Sequence, residues 1–247
     1  MGVHDLAIVI PSRLKSTRLP NKPLIKFNGI PMVIHVALNC MQTIDPEFVF
    51  VSSPDDQILK LCDNYGIKSH RSSFNAKSGT DRLVEFITKY NFPRIINVQG
   101  DELLLTKKCL KSFILKSKSN SNPTIGVAEI IKPSEFESAS VVKIAQSNGR
   151  MIYASRSNIP SFVYSDQKKK FKQTGLYMFT RESLKLFSDY SLGILEKTEK
   201  IEILRLIENR VAVDVVEVKD YQFSIDTKKN VHDAKKLIGN GYQLGST

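Results

Sequence analysis

Tryptophan is absent from these 247 residues, and cysteine occurs only three times. Cys40, Cys62 and Cys109 form no C-x-x-C pair, and each falls among apolar neighbours. An odd count in that setting predicts reduced, buried thiols rather than disulfides or a zinc site. No apolar run approaches the roughly 20 residues that a membrane helix needs. No charged N-terminal segment leads into an apolar stretch and a cleavage site, so no secretory signal is expected. The glycine-rich phosphate cradles G-x-x-x-x-G-K-[ST] and G-x-G-x-x-G are missing as well. Acidic residues are the minority, 25 against 36 Lys and Arg, for a formal charge of +11. Such a balance raises nucleic acid as a partner. The basic residues are nevertheless spread along the chain. The dense runs are Lys168-Lys169-Lys170 with Lys172, Lys228-Lys229 and Lys235-Lys236, with no RNP, zinc-finger or basic-zipper motif. A solvated, lysine-rich surface is the plainer account. These absences suit a cytoplasmic enzyme with neither nucleic acid nor membrane as partner.

What is present begins at Leu6. Leu6 to Ile10 is a continuous apolar run and reads as a strand buried on both faces. Pro11 stops it. The loop that follows carries Arg13, Lys15, Arg18 and Lys22, with Ser12, Ser16 and Thr17 between them and no acid. A basic, hydroxyl-rich loop at the carboxyl end of a buried strand suits a polyphosphate. Next, Pro31 opens a helix whose stripe is Val33, Val36, Ala37, Cys40 and Met41. Residues 48–51 read as a strand, and Ser53 as the cap of a helix that Gly66 ends. Residues 67–70 form a third short strand. Ser78-Gly79-Thr80-Asp81-Arg82 starts another helix, with Thr80 as its expected cap, and Gly79 lets backbone approach a flat ligand. Residues 94–98 are a strand ending in Gln99-Gly100-Asp101-Glu102. An acid there suits a hard cation such as Mg²⁺. This alternation predicts a parallel α/β sheet.

In the second half, residues 106–116 read as a helix and 124–131 as a strand. Asn148-Gly149 marks a hairpin between residues 141–144 and 151–156. Residues 161–170 read as a lysine-rich loop. A strand over 174–179, a helix over 181–187 and one long charged helix over 196–208 follow. Strands over 211–218 and 222–225 come next. Asp226 then stands at a strand end, where Thr227 caps the last helix. Asp101 and Asp226 together provide the two distant carboxylates that a metal-triphosphate site needs.

Pro11-Ser12-Arg13 with Ser16-Thr17-Arg18-Leu19-Pro20-x-Lys22-Pro23-Leu24 closely resembles the opening signature P-A-R-x-x-S-T-R-L-P-x-K-P-L of the CMP-KDO synthetases. These are the 3-deoxy-manno-octulosonate (KDO) cytidylyltransferases, a branch of the acid-sugar cytidylyltransferases. Ser78 to Arg82 matches their S-G-T-[DE]-R, and Gln99 to Glu102 their Q-G-D-E-P with Leu103 in place of proline. Tyr153-x-Ser155-Arg156 matches Y-F-S-R, residues 195–205 match L-E-x-x-E-x-x-E-x-L-R, and Asp226-Thr227 matches V-D-T-P-E-D. The motifs run in the family's order from Leu6 to Leu237.

The resemblance implies a Rossmann-like, mostly parallel α/β sheet of the nucleotide-diphospho-sugar transferase type. It implies one domain over 1–247, with a small inserted dimerisation lobe at about 132–180 and a homodimer. It implies CTP and an acid sugar as substrates, with Mg²⁺. Arg13, Arg18 and Lys22 would face the triphosphate, with Asp101 and Asp226 on the metal. Pro11, Ser12, Ser78, Gly79, Arg82 and Gln99 would complete the nucleotide site. Arg156, Gln173, Tyr177, Glu199 and Glu202 would line the sugar pocket. Two positions depart. Gln173 stands where the family has a histidine, and Ile203 where it often has a polar glutamine. Both bear on the sugar, so a related octulosonic or nonulosonic acid, such as an 8-amino KDO or a sialic-like acid, stays open. A sugar-1-phosphate nucleotidyltransferase is disfavoured because no G-x-G-T-R loop is present. None of His4, His35, His70 and His232 falls in a motif.

Overall fold

Alternate residues of the first strand face two different cores. The computed structural model, which describes residues 5–16, 18–161, 169–242 and 244, shows the reason. Strand β1 (Leu6–Pro11) lies inside a nine-stranded sheet covered by helices on both sides. Ile8 and Ile10 pack against one helical layer and Ala7 and Val9 against the other, all four at 0% exposure. Burial on both faces is why the run does not alternate with polar residues.

After β1 come a small hairpin, β2 (Lys26–Phe27) and β3 (Ile30–Pro31), then α1 (Met32–Met41) and β4 (Val49–Ser53). Helix α2 (Asp56–Asn64), β5 (Lys68–Arg71), α3 (Gly79–Lys89) and β6 (Arg94–Val98) complete the first half. Then follow α4 (Lys107–Ser117), β7 (Thr124–Glu129), α5 (Pro133–Phe136), β8 (Lys143–Ser147), β9 (Arg150–Ser155) and β10 (Phe171–Thr180). The chain ends with α6 (Arg181–Asp189), α7 (Ile194–Glu199), α8 (Leu204–Glu208), β11 (Asp214–Glu217) and α9 (Lys228–Gly239).

The strand order is β5-β4-β1-β6-β10-β7-β11-β9-β8. From β1 the chain moves outward to β4 and β5, and α3 then carries it back to β6 on the other side of β1. That reversal opens a crevice beyond the carboxyl ends of β1 and β6, where ligands of open α/β sheets sit. Strands β5, β4, β1 and β6 are mutually parallel, and so are β7 and β11. Strand β10 is antiparallel to β6, β7 and β8, and β9 is antiparallel to β8 and β11. Seven of the nine described strands thus share one direction and β9 and β10 run against them, so the sheet is mostly parallel, as expected, with two reversed strands. The inserted segment also returns into the sheet: Leu176 to Thr180 pair with β6 at its centre. Residues 176–180 of the segment expected to form an inserted lobe thus lie within the central sheet.

Local corrections have local causes. Ser78, not Thr80, caps α3, because Asp81 answers it in a reciprocal capping box. Ser53 belongs to β4, and Asp55 occupies the N-cap position of α2. The charged helix is two helices: Lys200 takes a left-handed conformation (φ 57°) that ends α7. Residues 222–225 form no strand. Residues 162–168 of the expected lysine-rich loop, and Thr17 of the basic loop, lie outside the described residues. No described helix is long and apolar enough to cross a membrane.

His70 sits inside the face formed by α3. Its Nδ1 is 3.0 Å from the Ser52 hydroxyl, and its ring meets the edges of Phe86 and Tyr90. Burial, aided by the Lys89 charge, pushes its pKa down to about 4. The folded protein therefore holds His70 neutral, while the unfolded chain takes up a proton below about pH 6.5. Acidification from 6.5 to 4 draws on that difference and lowers stability by roughly 3 kcal/mol at most. Urea unfolding at pH 7 and pH 4.5 should show a larger loss for the wild type than for His70→Gln. Equal losses in the two proteins would remove His70 as the cause.

Candidate active site

Lys22 marks the centre of the crevice. Its ammonium lies 2.6 Å from Asp101 Oδ2 and 3.0 Å from Asp226 Oδ1. Arg18 reaches the other oxygen of Asp226 at 3.0 Å. Burial alone would lower the pKa of Lys22, but the two carboxylates outweigh it and hold the group above the ordinary lysine value. Three separate elements deliver these groups: the loop after β1, the turn after β6 and the start of α9. A third apolar cluster ties them together, with Leu19, Phe27, Leu103, Leu104, Ile225 and Ala234 packed beneath.

The crevice opens into a cleft of about 1020 Å³. Every predicted site residue lines it except Glu199. On the side of β1, Ser12 has a buried hydroxyl without a partner among the described residues, and its amide is fixed by Ser52 O at 2.9 Å. Beside it, the N-terminus of α3 presents Ser78, Gly79 and Arg82. A side chain on Gly79 would come within 3.1 Å of Gln99 Nε2 and 3.2 Å of Pro11 Cγ, so glycine keeps this wall thin. Arg82 bonds the Ser78 carbonyl at 2.8 Å and leaves its buried Nε unpartnered. Burial and then the nearby Arg13 charge hold its pKa below the ordinary arginine value. Buried polar atoms left open at one cleft wall are an incomplete hydrogen-bond set that a ligand can fill.

The far wall is built around β10. Its register on β7 shifts between Gln173 and Tyr177. Such irregularities re-aim side chains, and both residues face the cleft. Gln173 donates to the Tyr177 hydroxyl, and its buried Oε1 has no partner among the described residues. Arg156 is held by its backbone N–H on Glu199 Oε2 (2.9 Å) and by its Nε on the Glu199 carbonyl (2.8 Å). Glu199 also accepts from Ser155 and Tyr153. Its carboxylate is therefore turned to β9, which corrects the expectation that it lines the pocket. Glu202 lines the cleft but spends Oε2 on the Thr80 N–H at 2.7 Å. Ile203 is 2% exposed inside the core and faces no ligand.

Sequence reasoning passed over Glu102. This residue is 1% exposed, and its Oε1 accepts from Ser224 (2.7 Å), Tyr221 (3.0 Å) and the Gly175 N–H (3.0 Å). Burial, then the neighbouring Asp101, raises its pKa to about 7. Any side chain on Gly175 would collide with it. Glu102 thereby ties β10 to the segment that precedes Asp226. Its place inside the Q-G-D-E motif was the available signal.

A divalent cation fits the chemistry of the central pair. Asp101 and Asp226 already close on one cation, the Lys22 ammonium, and offer hard oxygen donors. Among the described residues no group of three or more acidic, histidine or cysteine side chains could hold a metal by itself. Two carboxylates completed by substrate phosphates is a usual set for Mg²⁺. No histidine lines the cleft among the described residues.

A family model described as cytidylyltransferase matches residues 7–237. A 3-deoxy-manno-octulosonate cytidylyltransferase of Thermodesulfovibrio yellowstonii is 34% identical over 247 residues, covering 93% of this chain and 96% of the relative. One of Chloroherpeton thalassium is 33% identical over 239 residues, covering 94% and 96%. Among solved structures, a CMP:2-keto-3-deoxy-manno-octonic acid synthetase complexed with CTP superposes with a TM-score of 0.87 at 28% identity. It covers 95% of this chain and 98% of its own. The inositol-1-phosphate CTP transferase of T. maritima shares the fold, with a TM-score of 0.65 at 16% identity, covering 97% of this chain and 98% of its own. The matched region runs from β1 into α9 and encloses the whole cleft: the chain belongs to the cytidylyltransferase family.

Proposed function

We propose that this protein transfers CMP from CTP to the anomeric hydroxyl of an acid sugar, KDO, and releases pyrophosphate. One observation carries the reading. A single cleft gathers the basic loop, a two-carboxylate seat and a fixed arginine, and relatives more than 30% identical over most of the chain are named 3-deoxy-manno-octulosonate cytidylyltransferase. The sugar oxygen forms a bond to the α-phosphorus of CTP, the bond to the β-phosphate oxygen breaks, and the hydroxyl proton is lost. Arg13, Arg18 and Lys22 balance the triphosphate charge. Lys22 is best placed to follow charge as it moves toward the pyrophosphate. Ser78, Gly79 and Arg82 seat the cytosine. Arg156 offers its guanidinium to the sugar carboxylate, and Gln173 and Tyr177 orient the hydroxyls. Asp101 and Asp226 would hold Mg²⁺, which when bound supplies charge neutralisation and helps ionise the attacking hydroxyl.

A homodimer belongs to the same reading. Ile152 on β9 and Ile131 after β7 are 58% and 84% exposed, a surface that a second copy would cover. Light scattering of the purified protein tests it. We place the enzyme in the cytoplasm, where its three buried thiols stay reduced, and its product in surface glycan synthesis such as lipopolysaccharide or capsule. Gln173 favours one second reading, the same transfer to another acid sugar. The reading of the charge as a nucleic-acid surface draws no support from the cleft, where Asp101, Glu102, Glu202 and Asp226 interleave with the cations.

Pyrophosphate release from CTP and Mg²⁺ with a panel of acid sugars tests the reaction. KDO is expected to give the highest kcat/KM, and release with no acid sugar at all would sink the proposal. Asp101→Asn and Asp226→Asn should each fold yet lose at least about 100-fold in kcat, because an amide is a poor Mg²⁺ ligand. Near wild-type turnover in both variants would refute the metal assignment. Lys22→Ala should lower kcat more than it raises the KM for CTP. A change in KM alone would make Lys22 a ground-state anchor. Gln173→His should move the ratio of kcat/KM values toward KDO over its best competitor and leave CTP affinity unchanged. An unmoved ratio removes Gln173 from sugar selection.

A further inference from the structure

Asp55 stands at the N-cap of α2 with extended backbone angles (φ −92°, ψ 119°), yet its side chain caps nothing. Aspartate is among the residues preferred at this position because its carboxylate accepts the free N–H groups of the first turn. Here it is turned away. Asp55 Oδ2 instead accepts the backbone N–H of Leu14 at 2.8 Å, 41 residues earlier in the chain. A residue that forgoes its local role without local compensation points to a functional constraint.

The recipient explains the constraint. Leu14 is the pivot of the basic loop. Its N–H goes to Asp55, and its carbonyl accepts the Asn21 N–H at 3.2 Å, closing the loop on itself. Asn21 takes a left-handed conformation (φ 54°) just before Lys22. The Leu14 side chain packs against the first core cluster. Arg13, on one side of this pivot, and Lys15, on the other, line the cleft, whereas Asp55 does not. A carboxylate that accepts a backbone N–H makes a charge-assisted, directional bond. It can hold cations in place without approaching the anion they bind.

We propose that Asp55 is a positioning residue for the phosphate loop: by fixing Leu14 it sets the direction of Arg13 and the closure onto Lys22. The proposal rests on the reading that the loop binds the triphosphate of CTP. Its consequence is selective. Loss of the bond should loosen the triphosphate side and leave the sugar wall, built on β9 and β10, as it was.

Two substitutions separate this role from ordinary helix capping. Asp55→Ser provides a good cap for α2 but is too short to reach Leu14. Asp55→Asn keeps an acceptor oxygen at the same reach. The serine variant should raise the KM for CTP about tenfold or more, with the KM for the acid sugar within about twofold and Tm not lowered. The asparagine variant should recover most of the loss. Hydrogen exchange at the Leu14 amide reads the bond without any substrate: fast in Asp55→Ser, slow in wild type and Asp55→Asn. Should the serine variant not fold, Asp55→Ala, which also cannot reach Leu14, serves in its place. A serine variant with wild-type CTP kinetics, a Leu14 amide that exchanges at one rate in all forms, or equal damage to both substrates would overturn the proposal. A wild type that binds no CTP while its Leu14 amide follows the expected pattern would instead refute the triphosphate reading and leave the anchor standing.

Discussion

One ammonium, that of Lys22, lies between two carboxylates that the chain supplies 79 and 204 residues later. Two carboxylates brought this close, each only partly exposed, would repel each other. The cation between them makes their approach favourable. The turn after β6 and the start of α9 can then close on the loop after β1. The apolar cluster under β2, β3 and α9 holds the three parts in register but cannot by itself decide which polar groups meet above it. In the proposed reaction, a triphosphate entering this centre would find Lys22 already charged and already placed. Preorganised charge of this kind avoids reorganisation when the bond to phosphorus breaks.

The cleft wall built on β9 and β10 rests on different electrostatics. Lys143 is fully buried, and its ammonium donates to the carbonyls of Ser138 and Val141, both at 2.9 Å, and of Arg156. With Glu199 on its amide and Nε, Arg156 is gripped from both sides of its backbone. Further back, Arg205 pairs both ends of its guanidinium with Glu196 (2.7 and 2.9 Å) and stacks on Phe187. It also reaches Asp81 at 3.4 Å, and so ties α8 to the first turn of α3. Removing one partner of such a buried pair leaves an unpaired charge and typically costs about 3–5 kcal/mol. The glutamate-rich segment is thus mainly a frame. Its charges join α7, α8, β9 and α3: of the two acids that line the cleft, Glu196 is held by Arg205 and Glu202 holds the Thr80 amide.

Much of this was legible in the residues because the chemistry sits at strand ends. Leu6 to Ile10 carried no polar residue, and that placed β1 between two helical layers. Asp101 followed a buried strand, and its place at the crevice came from that alone. Other features depended on distant partners. Thr80 read as the cap of α3, but Asp81 answers Ser78 instead and Glu202 takes the Thr80 amide. The segment 196–208 kept helical spacing throughout, and nothing local announced that Lys200 would turn left-handed and split it. Strand direction was harder still. Residues 174–179 read correctly as a strand, but β10 runs antiparallel between β6 and β7 because the chain reaches it through the β8–β9 hairpin rather than a crossover helix. Periodicity records which face is buried and is silent on direction. Asp55 and Glu102 were overlooked for the same reason: each acts on backbone groups far away in sequence.

The two departures from the family pattern, which looked equivalent in the sequence, separate once they are placed. Ile203 lies in the core beside Leu204 and Leu206 and offers nothing to a ligand. Its change from a polar residue is absorbed by packing, where an apolar side chain needs no partner. Gln173 is at the register shift of β10, in the cleft, with one amide group on Tyr177 and the other buried and open. An amide held by its neighbour presents a fixed, neutral acceptor. A protonated histidine would present a charged donor instead. An open buried acceptor is costly until something donates to it. Under the proposed function, a sugar that completes this pocket would bring a donor to Gln173 while its carboxylate meets Arg156. On that reading, discrimination among acid sugars would turn on this hydrogen bond at β10, and the wall formed by the loop after β1 and the start of α3 would remain as it is.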